Sequence, residues 1–191
     1  HIPAATFSMV MFAMPAKHRL GLTATPTRED GLTDMLWWHI GESVYEITNQ
    51  QLSESGHVIM PKIEWFFTGW EGPQSRVEWS KLITEMTEDE DRNSKIVSRV
   101  MDACSKGRQV LVLSDRVDHC MRLSEAIASH GIASSPLVGK MTKKQRAGVL
   151  EKANQKEIQV VCATTVADEG LDLPSLDTIV LTTPTKALGR I

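Results

Sequence analysis

Hydrophobic positions in this chain follow two rhythms, and their alternation predicts the fold. Short apolar runs at Gln109–Ser114, Ile158–Ala163 and Thr178–Thr183 predict buried strands, and Ser134–Val138 predicts a shorter one. Between them, longer stretches with apolar residues three and four apart predict helices. These are Ser94–Ser105, closed by Gly107, then Val117–His130, and Thr142–Asn154 with Thr142 as N-cap. Upstream, Thr6–Met14 predicts a short helix broken at Pro15, and Thr33–Ile40 a second. Arg19–Thr25 predicts a buried strand stopped by Pro26, and Ser43–Thr48 and Ile63–Thr68 two more strands. Polar Gln50–Gly56 reads as a boundary, giving segments 1–50 and 51–191.

Buried strands alternating with helices predict an α/β fold, a parallel sheet covered on both faces. In such sheets ligands bind at the carboxyl ends of the strands. Here those ends carry Thr23 and Thr25, Ser114 and Asp115, Gly139 and Lys140, Thr164 and Thr165, and Thr182 and Thr183. Five polar strand ends predict one polar edge.

Composition narrows the partners. The net charge of −3 supplies no global positive field, so any nucleic-acid binding must come from a local patch. Lys140, Lys143, Lys144 and Arg146 form one such patch, suited to phosphates or to a solvated helix face. Three dispersed cysteines without a C-x-x-C pair predict inert buried thiols rather than zinc. They also predict a reducing compartment: the cytoplasm for a bacterial or phage protein, the nucleus for a eukaryotic one. No apolar run approaches the roughly 18 residues of a membrane span. The chain opens on His1 rather than Met, which predicts a longer parent.

Each polar loop also has a plainer reading. Ser114 and Asp115 suit a helix cap as well as an anion site. Gly170 permits either a turn or close approach to a ligand. Asp172 suits ribose hydroxyls, and Thr164 a phosphate oxygen. The acidic run Glu88–Asp91 favours the positive end of the helix behind it, or a solvated face. Trp65, Phe66, Phe67, Trp70 and Trp79 offer base-stacking surfaces, but the alternation of Trp65 and Phe67 with Phe66 favours a strand facing two layers.

The order of the motifs is more specific than any one of them. "GLTATP" at Gly21–Pro26, the Ser114–Asp115 strand end, "GLDLP" at Gly170–Pro174, and Gly189–Arg190 resemble motifs III, IV, V and VI of superfamily 2 helicases. The likeness is to the DNA-repair and phage recombination branch. It implies a RecA-like second helicase domain joined to the C-terminal end of a first one, from a parent using ATP and Mg2+.

By that resemblance Thr23, Ala24 and Thr25 couple the nucleotide site to the second domain. Gly170, Asp172 and Gly189 lie by the nucleotide, and Arg190 is a catalytic arginine finger. Thr164, Ser114, Arg116, Gly139 and Lys140 follow the nucleic-acid track, with DNA favoured over RNA. Lys186 stands where the family has Gln. No G-x-x-x-x-G-K-[ST] phosphate loop occurs in the chain, so it is expected to be inactive alone. The competing expectations are a translocase or restriction-type motor that does not unwind, and a catalytically inert interaction module.

Overall fold

A computed structural model describes residues 5–23, 31–56, 60–75, 77–164 and 173–184. The chain divides into two compact units, His1–Glu64 and Trp65–Arg190.

In the first unit α1 (Ala5–Ala13), α2 (Thr33–Ile40) and α3 (Asn49–Glu54) are the described elements. Helix carbonyls at a C-terminus lack intrahelical donors. Arg19 supplies them: its Nη2 donates to Met11 O at 2.8 Å and Met14 O at 3.2 Å, and its Nη1 to His39 O at 3.2 Å. One guanidinium therefore ties the ends of α1 and α2 together, and the ring of Phe12 meets His39 edge-on. Gly21 lies against Ile40, where a Cβ would come within 2.8 Å of Cδ1. Thr48 starts α3 with a capping box shared with Gln51.

The second unit contains α4 (Trp79–Glu88), α5 (Glu90–Ser105), β1 (Val110–Leu113), α6 (Val117–Ser129), β2 (Ser134–Leu137), α7 (Lys143–Asn154), β3 (Val160–Ala163) and β4 (Thr178–Leu181). The strands form one wholly parallel sheet in the order β2-β3-β1-β4. Successive strand residues face opposite layers. Val110, Val112, Val160 and Cys162 therefore meet Ile96 and Val100 of α5 and Cys120, Leu123 and Ile127 of α6. Leu111, Val161 and Ala163 face the other way, against Val149 and Ala153 of α7. Each fully buried aliphatic chain contributes about 1.5–3 kcal/mol. This is the covered α/β sheet that the apolar runs predict.

Helix ends follow local chemistry, although α5 begins at Glu90, four residues before the predicted Ser94. Asp89 caps α5 by accepting the N–H of Arg92 at 2.7 Å, with Glu90 and Asp91 in the first turn. The acidic run thus sits at a positive helix end. Gly107, at φ 76°, supplies the left-handed turn that releases the chain from α5. Thr142 and Gln145 cap α7 reciprocally.

Three predicted strands are corrected. Residues 19–23, Ser43–Thr48 and Ile63–Thr68 form no strand, and their apolar side chains stand open: Leu22 is 90% exposed, Val44 94% and Phe67 92%. A strand exists only when a neighbour takes its N–H and C=O groups. Among the described residues no strand pairs with these runs. Thr25, the end of the first predicted strand, lies outside the described residues. Phe66 carries the guanidinium of Arg99 at 4.8 Å from its ring centre, an arrangement a two-faced strand does not require.

Candidate functional site

Parallel pairing brings the four strand ends to one edge. The register sets Leu137 beside Ala163, Ala163 beside Leu113, and Leu113 beside Leu181. The next residues in each chain are therefore edge neighbours. They are Val138 to Lys140 after β2, Thr164 after β3, Ser114 to Arg116 after β1, and Thr182 and Thr183 after β4. The polar edge expected from the strand ends is present for these four strands.

The edge residues differ in what they leave available. Gly139 and Lys140 form an exposed turn. Thr164 is buried, and its N–H reaches Leu137 O at 3.4 Å. Arg116 turns its guanidinium onto α4, where Nη2 donates to Ser80 O at 2.8 Å and to Ser80 Oγ at 3.0 Å. Ser114 is 3% exposed, and its hydroxyl is engaged inside the unit. It lies 2.8 Å from His119 Nδ1 and accepts the N–H of Arg116 at 3.2 Å.

That hydroxyl opens a buried polar chain. Asn93 donates through Nδ2 to Thr87 O at 2.9 Å, so its Oδ1 is the acceptor facing His119 Nε2 at 2.8 Å. The imidazole proton therefore sits on Nε2, and Nδ1 accepts from Ser114. Burial, followed by the charges of Arg92 and Arg122, pushes His119 down to about 4, which keeps the ring neutral.

Beside this chain lies Arg92, 8% exposed. Its Nη2 donates to Thr182 O, while Nη1 is buried without a partner among the described residues. Burial lowers its pKa, with Asp89 opposing. Thr182 is fixed further, since its N–H and its hydroxyl both donate to Leu113 O, at 2.9 and 2.6 Å. Thr183 Oγ1 accepts the N–H of Asp115 at 3.0 Å. The exits of β1 and β4 are thus clamped to each other and to the start of α5.

Arg92, Asn93 and His119 are absent from the sequence-derived site. One signal was legible: His119 lies on the apolar stripe of α6 that also carries Cys120, Leu123 and Ile127. Arg92 and Asn93 look like ordinary first-turn residues. Thr23 is exposed at the end of the Arg19–Thr23 run in the first unit. Ala24, Thr25, Gly170, Asp172, Lys186, Gly189 and Arg190 lie outside the described residues. The described residues include no cluster of His, Cys, Asp or Glu able to hold a metal ion. All three cysteines are buried and free, and burial pushes Cys120 and Cys162 up to about 12. Inert thiols are what their spacing predicted.

Residues 92–190, which include the whole sheet and its carboxyl edge, match the model of the helicase conserved C-terminal domain. The chain belongs to that family. As a helicase C-terminal domain it has the RecA-like α/β sheet that the motif order implied. A protein of Sulfolobus islandicus filamentous virus, provisionally named helicase 22, is 25% identical over 98% of this chain and 36% of its own length. A mimivirus protein from Acanthamoeba polyphaga, provisionally named ATP-dependent RNA helicase L396, is 27% identical over 100% of this chain and 38% of its own. The Schizosaccharomyces pombe protein named as the XPB helicase/translocase subunit of the general transcription and DNA repair factor IIH is 26% identical over 91% of this chain and 22% of its own. The chain thus spans between 22% and 38% of the length of these three relatives. The match to the helicase C-terminal domain begins at Arg92, in the first turn of α5, and takes in every element from there to β4.

Proposed function

We propose that this chain is part of an ATP-dependent nucleic-acid motor, a helicase or translocase that acts on DNA in preference to RNA. The observation that carries the reading is the helicase C-terminal domain match across 92–190, which covers every strand of the sheet. Its companion support is the motif order from Gly21 to Arg190.

In this reading residues 51–191 supply the second wall of an ATP cleft and part of a strand-binding track. Gly170, Asp172 and Gly189 approach the nucleotide. Water attacks the γ-phosphorus as the bond to the β–γ bridging oxygen breaks. The guanidinium of Arg190 offsets the charge that gathers there. Thr164, Ser114, Arg116, Gly139 and Lys140 follow the nucleic-acid backbone. For Ser114 the role is through the backbone and turn it stabilises, since its hydroxyl is engaged. Thr23, Ala24 and Thr25 relay the nucleotide state. The wider family uses ATP, and the phosphate loop this chain lacks would come from upstream sequence.

A second reading has a specific observation behind it. The fission-yeast relative is named a helicase/translocase, and a translocase moves along duplex without separating strands. The test is ATP hydrolysis by the chain extended upstream in its own reading frame, with and without single-stranded DNA, duplex DNA and RNA. Stimulation by DNA above RNA supports a DNA motor, and strand displacement then separates helicase from translocase. A folded, extended protein with an intact phosphate loop and no hydrolysis would instead be an inert interaction module.

A further inference from the structure

Arg116 occupies a place that helix chemistry does not explain. It is the N-cap residue of α6, with φ −120° and ψ 125°, and its side chain caps nothing. Ser, Thr, Asp and Asn favour that position because each accepts a free N–H of the first turn, and arginine has no acceptor. Its charge also sits at the positive end of the helix dipole, where an anion is preferred. The stability of α6 is therefore no reason for an arginine here.

The fold instead holds this arginine at both ends. At the backbone its N–H donates to Ser114 Oγ at 3.2 Å, and Ser114 is itself fixed by its bond to His119 at 2.8 Å. At the tip, Nη2 donates to Ser80 O at 2.8 Å and to Ser80 Oγ at 3.0 Å, across 36 positions of sequence. Ser80 lies in the first turn of α4, a helix anchored by buried Ile83, Met86 and Thr87. Both acceptors on Ser80 are neutral, so they orient the guanidinium without cancelling its charge. Arg116 forms no ion pair with a described residue. It is half-buried, and its Nη1 and Nε donate to no described residue and are not enclosed.

We propose that Ser80 is a positioning residue for Arg116, holding its guanidinium at the carboxyl edge of the sheet to meet a nucleic-acid backbone phosphate. The inference rests on the motor reading above, in which Arg116 follows the nucleic-acid strand. A planar, permanently charged fork suits a phosphate acceptor. An arginine side chain loses rotamer freedom when it binds, and one already held loses less. Ser80 therefore tightens binding without touching the nucleic acid.

The experiment measures binding of a labelled DNA single strand, at several salt concentrations, to the chain extended upstream in its own reading frame. The variants are Ser80→Ala, Arg116→Ala and the double substitution, each checked for folding by circular dichroism. Ser80 is exposed on a helix, where alanine is well tolerated. Arg116→Ala is expected to weaken binding about tenfold and to lower the salt slope by about one. Ser80→Ala keeps the charge, so it is expected to weaken binding about threefold at an unchanged slope. The double variant should match Arg116→Ala, because Ser80 acts only through that arginine. Parental binding by Ser80→Ala overturns the proposal while leaving Arg116 on the strand. Losses that add in the double variant also overturn it, since they mark Ser80 as a general anchor of α4. Should Arg116→Ala fail to fold, Arg116→Gln decides, because it keeps a donor for Ser80 without the charge. A slope lower by about one then supports the proposal, and an unchanged slope refutes it. Parental binding and slope in folded Arg116→Ala would take Arg116 off the strand, and the role of Ser80 would fall with that assignment.

Discussion

His119 Nε2 donates to Asn93 Oδ1 at 2.8 Å, inside a helix pair that leaves His119 fully buried. This bond joins the first turn of α5 to the first turn of α6. Through Ser114 it also fixes where β1 ends. A neutral imidazole is required, because Nδ1 must accept from Ser114.

Acid should therefore weaken the second unit. The folded pKa of His119, about 4, lies below its ordinary value of 6.5. Between these values the unfolded chain binds a proton that the folded chain refuses. Stability is complete above pH 6.5, falls as pH drops through that window, and levels off below the folded value. The loss is on the order of 3 kcal/mol. Urea midpoints across the window should show the fall, and His119→Gln should flatten it. An equally steep curve in the variant would assign the acid sensitivity to other groups.

Asn93→Leu should destabilise by about 2 kcal/mol, because it strands the Nε2–H of His119 without an acceptor. The double variant Asn93→Leu with His119→Leu should recover part of that loss, since no buried donor remains unpaired. Equilibrium denaturation of the two variants measures the recovery. No recovery would mean that packing, not the hydrogen bond, governs the site.

Ile127 is fully buried in the cluster that α5 and α6 form with one face of the sheet. Ile127→Ala should cost about 3 kcal/mol through lost burial and the cavity left behind. Thermal and chemical unfolding should agree on that figure. A cost near zero would show that α6 collapses onto the gap.

Lys140, exposed in the turn after β2, is assigned to a phosphate. Lys140→Ala in the extended protein should weaken binding to all DNA sequences alike and lower the salt slope by about one. Titration of a labelled single strand at several salt concentrations reads both effects. An unchanged slope would return Lys140 to the solvated surface.

The amino-acid sequence alone determined the second unit's alternation of helices and strands from Ser94 to Leu181, but it placed the start of α5 at Ser94 rather than Glu90. Its strands are apolar on both faces and short, its helices carry an apolar stripe, and Asp89, Gly107 and Thr142 mark the ends by local chemistry. Helix α4 is not among the predicted elements, although Trp79, Leu82, Ile83 and Met86 have helical spacing. The motif order alone pointed to the family. Tertiary structure decided the rest, because pairing and burial depend on residues far apart in the chain. Leu20 to Leu22, Val44 to Ile47 and Ile63 to Phe67 have strand-like residues but no strand beside them among the described residues, and side-chain alternation carries no information about a partner. Arg92 and Thr182 stand 90 positions apart, and Asn93 and His119 stand 26 apart. Nothing local distinguishes these polar residues from solvated ones. Only the parallel crossover that returns β4 beside β1, at the head of α5, removes their water and obliges them to bond to one another.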